Sequence, residues 1–180
     1  MADELDELKE QAEKGAHEPS LKPVSLTMAI CAVLVAVVSL LGHRAHTEEL
    51  LLQNKATDNW SFYQAKNIRR HTYELFLDML SISDAKDKEG AEGLKAKYEK
   101  EIKRYDGEQK EIEEEARRLE QETALAGRKG DRFDMGEVFL EVALVVTSIT
   151  LLTRRKLYWS IGLAAGILGV GVAATALWIH

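Results

Sequence analysis

The sequence predicts an all-α membrane protein, with three transmembrane helices and a long antiparallel helical (coiled-coil) hairpin between the first and the second. Three observations carry that expectation. Apolar residues gather into three blocks, and most of the charge lies between the first and the second. No proline follows Pro23, so the rest of the chain is free to run as long helices. Between the first two blocks, apolar positions alternate spacings of three and four, as one seam of a coiled coil requires.

The totals narrow the functional classes. The 180 residues carry 24 basic and 30 acidic side chains, a formal net charge of −6, so nucleic acid is not an expected partner. The single cysteine, Cys31, lies in the first apolar block. It has no second cysteine in the chain to pair with, and thiolate chemistry is not expected of a thiol in hydrocarbon.

Taken in order, residues 1–22 form an acidic, polar tail that composition predicts to be solvated. Residues 23–42 form the first span. Its uncharged run VSLTMAICAVLVAVVSLLG is long enough to cross a hydrocarbon core of about 30 Å. The long acidic lead, and the lack of a small-residue cleavage pattern after the run, favour an uncleaved anchor over a signal peptide. Residues 43–135 form the hairpin stalk. Its turn is expected near 83–91, where Ser83-Asp84-Ala85-Lys86-Asp87-Lys88-Glu89-Gly90 is small and polar.

Beyond the turn, Tyr98, Ile102, Tyr105, Gln109, Ile112, Ala116, Leu119, Thr123 and Ala126 follow the heptad, with Gln109 as a polar break. Gly107 is a local weakness of about 1 kcal/mol against alanine. Gly127 to Gly130 reads as a joint, and Asp134 with Glu137 resembles a capping box at the entrance to the second span, 136–153. Arg154-Arg155-Lys156 then separates it from the third span, 157–179, which has Tyr158, Trp159 and Trp178 near its ends, where interfacial aromatics belong.

The arms on either side of the turn are nearly equal, and at 1.5 Å per residue each could reach roughly 60–65 Å. A turn centred near Asp87 places Lys66, Arg69 and Arg70 near Glu108, Tyr105 and Arg104, with Asp106 and Glu111 within a turn. Trp60 then falls opposite Glu114. The basic loop 154–156 puts the N-terminus in the cytoplasm and the stalk outside, although Arg44, Arg128, Lys129 and Arg132 on the stalk side pull the other way.

Three groups of residues are candidates for function. Asn59, Trp60, Tyr63, Gln64, Lys66, Asn67 and Arg70 form a dense polar and aromatic run suited to helix packing or to partner binding. Glu137 and Glu141 lie one turn apart on the second span. Glu137 suits a helix entrance, whereas Glu141 either snorkels to the interface or faces a subunit contact or an ion path. Gly162, Gly166 and Gly169 give the third span a small-residue surface, for packing on the second span or for self-association. His43 and His46 lack a third ligand at suitable spacing, so no metal or cofactor is expected.

Trp60 to Arg70, WSFYQAKNIRR, preceded by Asn54-Lys55-Ala56, resembles the signature of a bacterial membrane family catalogued as domain of unknown function 4337. Arg104-Tyr105-Asp106 and Phe133-Asp134 match it as well, and the resemblance runs from about Pro23 onward. It implies a prokaryotic inner-membrane protein with a three-span plan, and it implies no catalytic residues. The expected function is therefore a non-enzymatic scaffold or interaction protein anchored in the lipid bilayer. It would be a homo-oligomer, with room for an unidentified membrane or periplasmic protein partner. The alternative is an oligomeric channel or transport component that uses the carboxylates of the second span.

Overall fold

The computed structural model of the chain describes residues 21–82 and 88–179. The acidic tail up to residue 20, and residues 83–87 of the expected turn, lie outside them. The described residues are almost wholly helical: α1, Lys22–Ile82, α2, Lys88–Thr153, and α3, Lys156–Thr175, closed by a 3-10 turn at Ala176–Trp178. No strand occurs among them. Each of the three helices contains a stretch long and apolar enough to cross a membrane, as in a multi-pass membrane protein.

Sequence explains where the helices begin and end. Pro23 sits in the first turn of α1, where its missing N–H leaves no bond unmade. Between α2 and α3 the chain turns on two residues. Arg154 takes a left-handed backbone with φ 55°, and Arg155 is extended. The Arg154 N–H still reaches the Thr150 carbonyl at 2.8 Å, so the last turn of α2 stays closed.

Three expectations change. Residues 127–130 are not a joint, because α2 runs through them unbroken. Asp134 is not a helix cap either, since it lies well inside α2 and its backbone N–H groups are already in the helix. Lys88 to Ala91, at the far side of the expected turn, are helical too.

The contacts divide the chain into two compact units, residues 1–48 with 124–180, and residues 49–123. In the first unit, the described parts of all three helices pack together around small side chains. Gly166 of α3 faces Ala143 of α2 and Cys31 of α1; a Cβ at Gly166 would lie 3.6 Å from the Ala143 Cβ and 3.7 Å from the Cys31 sulfur. The packing is tighter at Gly169, where an added Cβ would lie 2.8 Å from the Gly136 carbonyl oxygen and 3.0 Å from the Leu140 nitrogen. Small residues let helix backbones approach this closely, which matters in a bilayer because lipid tails are as apolar as leucine. Phe133, Leu140, Ala173, Ala176, Val38 and Ala45 complete the core at one end. At the other end, the Trp159 indole N–H donates to the Thr27 hydroxyl at 3.2 Å.

In the second unit, α1 and α2 lie side by side. The heptad positions read from the sequence form the buried stripe of α2. Tyr105, Gln109, Ala116, Leu119 and Thr123 are buried, and Tyr98, Ile102 and Ile112 are half-buried. The outward side of α2 is charged and exposed.

Glycines in the two units should respond oppositely to alanine. Gly169→Ala should destabilise the detergent-solubilised protein by about 1–3 kcal/mol, as overpacking does. Gly107→Ala, where an added Cβ meets nothing within 4 Å, should stabilise by about 1 kcal/mol. Thermal unfolding followed by circular dichroism reads both. Equal responses would contradict the packing at Gly169.

Candidate functional site

Three side chains of the polar and aromatic run of α1, those of Trp60, Lys66 and Arg70, bond to α2. Lys66 forms an ion pair with Glu108, and its ammonium lies 5.2 Å from the centre of the Tyr105 ring. The Arg104 guanidinium approaches the same ring at 4.9 Å. Tyr105 is 4% exposed, so its ring forms the floor under both cations. Tyr73 stacks on Tyr105 at 5.9 Å and also meets Tyr98, which in turn stacks on Phe76 at 5.8 Å. One turn along from Lys66, Arg70 pairs with Asp106 at 3.2 Å, donates to the Asn67 side-chain oxygen at 3.3 Å and lies 3.6 Å from Glu74.

At the other end of the run, the Trp60 indole N–H donates to Glu120 at 2.8 Å. The Trp60 ring meets Tyr63 edge to face at 5.6 Å. The expected neighbour of Trp60 was Glu114, so the contact falls nearly two turns further along α2. The physical reason is the lean of helical side chains towards their own N-terminus. Contact order shows that the residue numbers on α2 fall as those on α1 rise, so two long side chains meet ahead of their own backbones. Lys66 meets Glu108 as the sequence register placed it, and Arg70 meets Asp106, within a turn of the Arg104 expected opposite it.

Of the run's remaining members, Asn59 is half-buried and donates to the Lys55 carbonyl at 3.1 Å, while Gln64 is exposed. The run is therefore mostly an intrachain helix contact. The Lys66 hydrogen bond holds the Glu108 carboxyl below its ordinary range, with the Lys66 and Arg104 charges adding to the effect.

In the first unit, Glu137 is half-buried and Glu141 exposed, and neither has a polar partner among the described residues. Glu141 thus points away from the packed faces of its own chain. Gly162, Gly166 and Gly169 are all buried against neighbouring helices. No group of three or more His, Cys, Asp or Glu side chains able to hold a metal occurs among the described residues.

Sequence reasoning missed one cluster. His46 Nε2 lies 2.9 Å from Asp134 Oδ2, with its ring against Gly130, where a Cβ would come within 2.6 Å. A Cβ at Gly42 would lie 2.9 Å from the other Asp134 oxygen. The signal was present as two glycines, a histidine and an aspartate, but it emerges only when the two helices are aligned.

Magnitudes rank these contacts. Removing a buried aromatic ring costs about 3–5 kcal/mol, whereas a part-exposed ion pair contributes about 0–1 kcal/mol. Tyr105→Ala should therefore lower the melting temperature strongly, and Lys66→Ala only slightly. Because the folded-state pKa of Glu108 is lowered, its contribution is present above the unfolded value of about 4.3 and is lost as pH falls through the folded value. Glu108→Gln, which resembles the protonated carboxyl at every pH, should lower stability slightly at neutral pH, match the wild type in acid and so flatten the acid limb. An unaltered acid limb would contradict the assignment.

Neither the curated proteins nor the solved structures contain a match to this chain. Residues 20–179 match the family described as Domain of unknown function (DUF4337), and the chain belongs to that family.

Proposed function

We propose that the protein is a non-enzymatic, membrane-anchored scaffold: three spans in a bacterial inner membrane carry an antiparallel coiled-coil hairpin that associates with further copies. The order of contacts from Trp60–Glu120 through Lys66–Glu108 to Phe76–Tyr98 is the observation that carries the reading. It supports an antiparallel hairpin of α1 and α2. Trp60, Lys66 and Arg70, which first look like part of a binding site, are used in holding α1 to α2. The short Arg154-Arg155-Lys156 loop supports a cytoplasmic N-terminus and a periplasmic hairpin.

A second reading has one observation in its favour. Glu141 is exposed and unpaired on a helix apolar enough to span the bilayer, and several copies arranged in a ring would bring such carboxylates together as a channel or transport component.

Light scattering of the protein in detergent separates self-association from its absence. The scaffold reading predicts a protein mass that is a multiple of 20.2 kDa, and a monomer at every concentration would contradict it. Conductance in liposomes that is abolished by Glu141→Gln would transfer the assignment to the channel reading.

A further inference from the structure

The side of α1 turned away from α2 carries a second heptad that nothing among the described residues covers. Ala65, Ile68, Thr72, Leu75, Met79 and Ile82 are spaced three, four, three, four and three apart, and all are exposed. The large ones are open to a degree unusual for their type: Ile68 68%, Leu75 62%, Met79 61% and Ile82 83%. None of the six is charged, in a chain where 30% of residues are. Thr72, the one polar member, already donates its hydroxyl to the Ile68 carbonyl at 2.8 Å, so burying it leaves no donor unmade.

We infer that this outer seam of α1 is where two copies of the chain join, as a parallel coiled coil. The inference deepens the scaffold reading and rests on it for the membrane anchor. The period selects a helix as the occupant. A three-four repeat is the seam of a supercoiled helix pair, and exposed Phe62 and Phe76 flank it along one edge, where a second helix would cover them as well. The anchor selects a second copy, and in parallel sense. Both copies leave one bilayer at the same point in the sequence, so identical layers arrive at the same level. Ile68 then meets Ile68 of the second copy, and Leu75 meets its equivalent.

The flanking residues agree. In a parallel pair, Gln64 lies beside Arg69 of the second copy and His71 beside its Phe76, so no like charges meet across the seam. The second helix offers no rival surface. In residues 49–123, Leu94 is the one large, exposed hydrophobic on α2, against eight on α1 among the described residues.

Cysteine cross-linking of the full-length protein in its membrane tests the seam. In a Cys31→Ser background, Ile68→Cys and Leu75→Cys should each give a disulfide-linked dimer on mild oxidation, and Lys103→Cys on the charged side of α2 should give at least tenfold less. Ile68→Glu with Leu75→Glu should weaken self-association at least tenfold in detergent while leaving helix content unchanged, because both sites are exposed in the single chain. Equal linkage at all three positions would overturn the seam. So would quenching of a label at position 75 by lipid-borne nitroxides with no cross-link, which would assign this face to the bilayer. Linkage of position 68 to position 79, in place of 68 to 68, would overturn the parallel sense. An oligomeric mass that survives the double glutamate variant would refute the seam and leave the scaffold reading standing, whereas a monomeric wild type would refute both.

Discussion

Tyr105 is the residue on which the pairing of the two long helices in residues 49–123 depends. Its ring is buried, two cations lie over it, and Tyr73 stacks against it. Long helices in water are held by the burial of one face far more than by intrinsic propensity. The ion pairs around Tyr105 set register instead. Lys66 has an acidic neighbour in Glu108 and Arg70 has one in Asp106, so sliding α1 by a turn would separate both pairs at once. Buried Gln109, whose side-chain nitrogen has no hydrogen bond among the described residues, carries a cost of about 1–3 kcal/mol at a seam position. Polar seam residues of this kind specify one alignment over its neighbours.

In residues 1–48 and 124–180, glycine takes the place that aromatic rings hold in the other unit. Gly136, Gly162 and Gly169 each sit against a neighbouring helix at distances no side chain could share. The requirement differs because the solvent is expected to differ. Where hydrocarbon surrounds the helices, burial of apolar surface drives nothing, and close backbone contact supplies the attraction. His46 and Asp134 extend the same logic, since Gly130 and Gly42 leave room for a polar pair between closely spaced helices.

Much of this was legible in the sequence. The three apolar blocks gave the three helices, and the heptad from Tyr98 to Ala126 gave the buried stripe of α2, because period and hydropathy are local properties. The pairing of Lys66 with Glu108 followed from counting back from an expected turn. Side-chain reach was not legible, and so Trp60 was matched with Glu114 when it bonds Glu120. Glycine was misread at 127–130, where turn chemistry and close helix packing use the same residue type. The stretch that carries the family resemblance looked like a site for another molecule, and most of it serves contact within the chain.

The pairing of α1 with α2 as a hairpin is the claim on which the functional reading stands. Its most direct measurement places cysteines at Lys66 and Glu108 together, in a Cys31→Ser background, and treats the full-length protein in its membrane with a short bifunctional thiol reagent. A linked chain of monomeric mass is the predicted result, with a pair at positions 66 and 114 reacting far less. Failure of the 66–108 pair, with a same-helix control pair linking normally, would contradict the account.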